Sequence, residues 1–314
     1  MALGPGTSEL TPTIVDPPRM PMRSATVRKQ FDRRAPAFAR HDFLVREVGR
    51  RMQEKLEVIR LAPRRVLDVG CGLGGERPDL MRRYAAAEWI GVDQSLAMLQ
   101  QGAVADRSAA TRLARLWRRP RAHWIAADAG MLPLADGCID LVFSNLMLHW
   151  HPVPHTLFPE WKRVLSTGGL LMFSCFGPDT IKELRAEVAA ILPRAVPMTY
   201  VDMHDFGDMM VAAGFATPVM DAERIRLTYA NPADLLRDVA AMGGNPRDDR
   251  SPGFVSGRRA RALIEALAAR RDDDGRIGIT FEVAYGHAWK PADRGSERQT
   301  RISVDSLRAQ LRSR

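Results

Sequence analysis

One ten-residue stretch, Val66-Leu67-Asp68-Val69-Gly70-Cys71-Gly72-Leu73-Gly74-Gly75, constrains this chain more than any other. It reads as a short apolar strand with an acid near its end, followed by a glycine-rich turn. Glycine has no Cβ, so a ligand can come close to the backbone of such a turn. The residues after it read as helix, whose first N–H groups would face the same ligand. Nineteen residues past Gly74, Ile90-Gly91-Val92-Asp93 reads as a second strand closing on an acid. An acid at that point suits the two hydroxyls of a ribose. The expectation is a nucleoside-bearing cofactor held at the carboxyl ends of parallel strands.

The glycines alone leave the cofactor open, because Gly70, Gly72 and Gly75 also satisfy the dinucleotide pattern G-x-G-x-x-G. Asp68 separates the choices. Its carboxylate would repel a pyrophosphate and attract an ammonium such as the methionine end of S-adenosyl-L-methionine. The phrase from Val66 to Gly74 resembles the first motif of class I S-adenosylmethionine-dependent methyltransferases. Four further stretches are similar to that family in order. They are Ala126-Ala127-Asp128-Ala129, Ile139 to Asn145, Leu165 to Phe173, and Ala213-Gly214-Phe215. The resemblance implies cofactor contacts at Asp68, Gly70, Cys71, Gly72, Gly74, Asp93, Gln94, Asp128, Ala129 and Asn145. It also implies a Rossmann-like α/β fold with a mostly parallel seven-stranded sheet. The last strand would be antiparallel, and a helical insertion would separate strands six and seven.

The rest of the chain is consistent with one α/β domain plus additions in 314 residues. No apolar run approaches the roughly 20 residues needed to cross a bilayer, and no secretory pattern opens the chain. Cys71, Cys138 and Cys175 are odd in number and widely spaced, which suits a reducing compartment and a cytoplasmic protein. The net charge is +9, and only five of the 46 basic residues are lysines. That charge fits an acidic partner as well as it fits a compositional bias toward arginine. The basic clusters are not interleaved with stacking aromatics, so nucleic acid is not the expected partner.

Residues 1–23 read as a disordered tail, and a helical pattern starts near Ser24 and breaks at Pro36. Residues 24–60 would form a lid whose Phe31 and Phe38 cover the cofactor or simply pack on the sheet. Strands are expected at 65–69, 88–93, 123–127, 139–144, 169–176, 217–229 and 280–289. Helices are expected at 75–85, 95–104 with Ser95 as cap, 156–164, 179–192, 203–213, 232–242 and 256–271. The last two form an insertion over 230–272 that would roof the site, and 291–314 reads as a basic tail. Arg112 to Arg121 is the densest basic stretch and reads as a solvated helix face.

Methyl transfer needs a nucleophile held in line and dry, with no metal. A carboxylate nucleophile needs no base, whereas carbon, nitrogen or phenol usually does. His149, just past strand four, is the candidate base, and Trp150 beside it a candidate pocket wall. Arg247 and Arg250, in the glycine-rich loop of the insertion, are candidates to clamp a substrate carboxylate.

Three stretches narrow the resemblance. They are Phe31-Asp32-Arg33-x-Ala35-x-x-Phe38, Ser144-Asn145-Leu146-x-Leu148-His149-Trp150 and Phe176-Gly177-Pro178-Asp179-Thr180-x-x-Glu183-Leu184-Arg185. With Ala241-Met242-Gly243-Gly244-Asn245 they resemble the malonyl-acyl-carrier-protein O-methyltransferases of bacterial biotin synthesis. That resemblance implies esterification of a malonyl carboxyl on an acidic acyl carrier protein. Phe38 stands where that family often has Tyr, and the chain beyond 290 is longer. The stretch from Phe176 to Arg185 is also similar to the mitochondrial complex I assembly factor. That relative shares the cofactor fold but hydroxylates a protein arginine, and a non-enzymatic assembly module is a third alternative.

Overall fold

The computed structural model describes residues 21–109, 122–248 and 257–292. The basic stretch near 112–121, Arg250, most of the amino-terminal tail and most of the carboxyl-terminal tail lie outside these residues.

Seven strands form one sheet: β1 (Arg65–Val69), β2 (Glu88–Asp93), β3 (Ala122–Ala126), β4 (Ile139–Ser144), β5 (Leu165–Phe176), β6 (Ala216–Tyr229) and β7 (Ile277–Trp289). Their order is β3-β2-β1-β4-β5-β7-β6. The first five strands run parallel, and β7 is antiparallel to both β5 and β6. The expected topology is therefore present. The central strands are buried along nearly their whole length, since helices cover both faces. Side chains alternate across the sheet, so neighbours in sequence enter opposite cores. Leu67, Val142 and Phe173 pack with Phe158 and Trp161 on one face. Val66, Phe143 and Met172 pack with Leu44 and Met52 on the other. Phe173 is fully buried, and truncating it to alanine would cost about 3–5 kcal/mol.

The helices follow the expected order: α1 (Ser24–Phe38), α2 (Phe43–Glu57), α3 (Arg77–Arg83), α4 (Leu96–Ala109), α5 (Leu157–Val164), α6 (Lys182–Ile191), α7 (Met203–Ala212), α8 (Pro232–Ala241) and α9 (Gly257–Ala268). Ser95 caps α4, its Oγ accepting from Met98 N at 3.3 Å. Helices α8 and α9 form the insertion between β6 and β7.

Several expectations need correction. The first helix runs through Pro36 instead of breaking there. Pro36 lies in its final turn, where one missing N–H costs a single hydrogen bond. The glycine pair near the start of β5 is not a turn before the strand. It is a register shift within it, between the Ile139–Leu165 and Leu141–Leu170 pairs. The end of the expected disordered tail packs on the protein. Met22 is buried in the core, and Pro21 O accepts from Asp248 N at 2.9 Å. Among the described residues no helix is long and apolar enough to cross a membrane.

Candidate active site

A cleft lies beyond the carboxyl ends of β1, β2 and β4. Open parallel sheets bind ligands at this end. The glycine turn forms its floor. Gly70 N and Cys71 N both donate to Val92 O, at 2.7 and 3.1 Å, which fastens the turn to β2. Gly70 has φ +74°, and a Cβ there would lie 2.3 Å from Met147 Cγ. Gly72 has φ +52°, and a Cβ there would meet only open space. The turn thus packs tightly at Gly70 and opens onto the cleft at Gly72. Gly74 is not part of the cleft wall; it makes room for the Trp124 ring.

Most of the expected site residues converge here. Phe31, Phe38, Asp68, Gly70, Cys71, Gly72, Asp93, Gln94, Asp128, Ala129, Asn145, His149 and Trp150 all line the cleft. Arg247 does not. It is 9% exposed, its Nη1 donates to Thr199 Oγ1 at 3.3 Å, and its backbone N donates to Asn245 Oδ1.

The cleft is rich in acid. Asp42, Asp68, Glu76, Asp93 and Asp128 line it, against one arginine among the described wall residues, Arg46. Asp68 is 1% exposed, and its Oδ2 has no hydrogen-bond partner. Burial, with the Glu76 charge beside it, pushes the Asp68 carboxyl well above the usual range. The Trp89 indole N–H eases that charge without reaching hydrogen-bond geometry. Burial raises Glu76 to about 7, although Asn145 Nδ2 donates to its Oε1 at 2.9 Å. Asp93 is also raised by burial, against backbone donors at Ser95 N (2.8 Å) and Gly72 N (2.9 Å). Asp128 is lowered, chiefly by His151, whose Nε2 is 3.6 Å away. Three acids whose charged forms are disfavoured by burial, gathered on one wall, suit a cationic ligand.

S-adenosylmethionine fits this wall on that ground. Its ammonium and sulfonium would bring positive charge to these acids, and Gly72 leaves room beside the wall. Sequence reasoning missed Glu76 and Arg46. Glu76 directly follows the glycine turn, but a charged residue at a helix start reads as solvent-facing. Arg46 pairs with Asp42 on α2, Nε to Oδ2 at 2.8 Å, and looked like any other surface arginine.

Asn145 lines the cleft with its side chain already committed. Its Nδ2 donates to Val45 O (2.8 Å) and to Glu76, and its Oδ1 accepts from Ser174 Oγ (2.8 Å). It ties α2, β5 and Glu76 together. His149 is 1% exposed, and burial lowers it to about 3. A group held neutral so far below pH 7 is a poor proton acceptor, which counts against the general-base expectation.

Strand order, glycine turn and strand-end acids define the class, the methyltransferase domain. Residues 67–173 match the methyltransferase-domain family. The YcgJ protein of Bacillus subtilis shares the fold, with a TM-score of 0.54 at 16% identity, covering 79% of this chain and 99% of that one. The BH2331 protein of Bacillus halodurans C-125 gives 0.53 at 15%, covering 76% and 97%. Within that class, the malonyl-[acyl-carrier protein] O-methyltransferase of Laribacter hongkongensis is 46% identical over 270 residues, 85% of this chain and 90% of that protein. The one from Methylovorus sp. is 41% identical over 273 residues, 86% and 90%. The chain belongs to the malonyl-[acyl-carrier protein] O-methyltransferase family.

Proposed function

We propose that this chain is an S-adenosylmethionine-dependent O-methyltransferase that esterifies the free carboxyl of a malonyl group on an acyl carrier protein. The step belongs to bacterial biotin synthesis, in the cytoplasm. The observation that carries this reading is the 46% identity to the Laribacter protein across 90% of that relative's length. Residues 24–290 act as the catalytic unit, with 24–60 as lid and 230–272 as roof.

In this reading the cofactor supplies an electrophilic methyl group. Asp68 takes its ammonium and Arg46 its carboxylate. Asp93 has a lone pair left on each oxygen for the ribose hydroxyls. Asp128 and Ala129 meet the adenine, with Gln94 beside them. The acceptor carboxylate is ionised at neutral pH, so no proton has to be removed from it. The chain's task is to hold it in line and keep water out. Phe31, Phe38 and Trp150 make an apolar wall for that purpose, with Phe31 and Trp150 ring centroids 5.5 Å apart. The +9 charge of the chain suits an acidic carrier protein at the mouth.

The test is mass spectrometry of malonyl-carrier protein incubated with enzyme and cofactor. One added methyl group supports the reading. An unmodified carrier, from enzyme that binds the cofactor, overturns it. Rescue of a biotin auxotroph separates the esterification from a hydroxylase or scaffold role.

A further inference from the structure

His149 sits in a single 3-10 turn, Leu148–Trp150, directly after β4. Its ring is clamped by aromatic neighbours. Centroids lie 4.5 Å away for Phe176, 4.7 Å for Trp150 and 5.9 Å for Tyr200. These neighbours hold the plane of the imidazole, and the Phe176 N–H selects which edge carries Nδ1. Its Nδ1 lies 3.4 Å from the backbone nitrogen of Phe176. A backbone N–H can only donate, so Nδ1 must present its lone pair. A neutral imidazole carries one proton, and that proton is then on Nε2. Nε2 is buried and has no partner in the protein. The result is a buried N–H donor without an acceptor in the protein, on a residue that lines the cleft.

We infer that His149 is a hydrogen-bond donor to the acceptor carboxylate, through Nε2–H, and not a base. This rests on the carboxyl-methylating reading above. One carboxylate oxygen accepts from Nε2–H, which orients the group. The other oxygen's lone pair forms the new bond to the methyl carbon, while that carbon's bond to sulfur breaks and its electron pair stays on sulfur. No proton moves, so a base would have no role. The donor also distinguishes substrate from product. An N–H bond to a charged carboxylate is stronger than one to the ester carbonyl that replaces it, so the contact weakens once the methyl is in place.

The decisive measurement is the imidazole tautomer in the full-length protein, by long-range proton–nitrogen NMR. The His149 signal is assigned by its loss in His149→Gln. The expected result is a neutral ring with the proton on Nε2 from about pH 5 to 8, unlike an unperturbed histidine. A proton on Nδ1, or a titration midpoint near neutrality, overturns the inference. Kinetics give a second arm. His149→Leu lowers kcat about ten- to a hundredfold with cofactor affinity intact, as for a lost bond to a charged group. His149→Gln, which keeps an N–H donor, recovers most of that loss. A leucine variant as fast as wild type also overturns it. If the wild-type enzyme leaves malonyl-carrier protein unmethylated, the functional reading fails, while the tautomer measurement still decides between donor and base.

Discussion

Arg34 Nη1 donates to the carbonyl oxygen of Gly243 at 2.6 Å and joins positions 209 residues apart. The bond ties the amino-terminal helix α1 to the loop after α8. Neighbouring contacts repeat the link. Arg23 Nε meets Asp248 Oδ2 at 3.0 Å, and His41 Nδ1 meets Asp238 Oδ1 at 2.9 Å. The first helix and the insertion are thus fastened together, and Met242 of the insertion reaches the cleft. Asp32 Oδ1 accepts from Ser95 Oγ at 2.7 Å, and Ser95 N donates to Asp93. The lid is therefore connected to the strand-end acid beside the cofactor site.

The roof is closely fitted at Gly243. Its φ is +148°, and a Cβ there would lie 2.1 Å from the Trp150 ring. Gly243→Ala should displace Trp150 or lift the loop, at about 1–3 kcal/mol of stability. Chemical denaturation should show that loss, with a raised KM for the acyl acceptor. An unchanged midpoint would mean that the roof adjusts freely.

Asp68 is a buried acid with an unsatisfied oxygen. Asp68→Asn should weaken cofactor binding about ten- to a hundredfold, because it removes a charge-assisted bond. The same change should leave the unliganded protein about as stable, since burial already disfavours the ionised form of that carboxyl. Calorimetric titration and thermal melts with and without cofactor would separate the two effects. Equal cofactor affinity in both proteins would remove Asp68 from the ammonium site.

Glu76 predicts a pH dependence. Its carboxyl is raised from 4.5 to about 7 by burial. The native state therefore favours the protonated form. That contribution is complete below pH 4.5 and is lost as pH rises through about 7. Glu76→Gln keeps the acceptor for Asn145 and cannot ionise. Its stability advantage over wild type should grow across that window to no more than about 3 kcal/mol, then level off. Denaturation curves at acid, neutral and alkaline pH test this, and a constant difference would argue against it.

Asp93 has two duties, holding the glycine turn at Gly72 and facing the cleft. Asp93→Ala should lower affinity for S-adenosylmethionine by about tenfold or more, as for a lost hydroxyl pair. Calorimetry reads this directly, and unchanged affinity would refute the ribose assignment.

Residues that act through short-range pattern could be read from the chain alone. The Val66–Gly75 stretch, the acids at the ends of strands one to three and the strand–helix alternation predicted the observed sheet and the end of it where the cleft lies. Period and spacing encode these features, because neighbouring residues create them. Other assignments depended on partners far along the chain. Arg247 was placed near substrate by its glycine-rich loop, yet it bonds Thr199. Glu76 gained its place in the wall only when Asn145 met it across 69 residues. His149 reads as a candidate base from its place after strand four, whereas the Phe176 N–H that faces its Nδ1 comes from 27 residues on. Burial and hydrogen-bond direction decide protonation, and both arise only when distant segments meet.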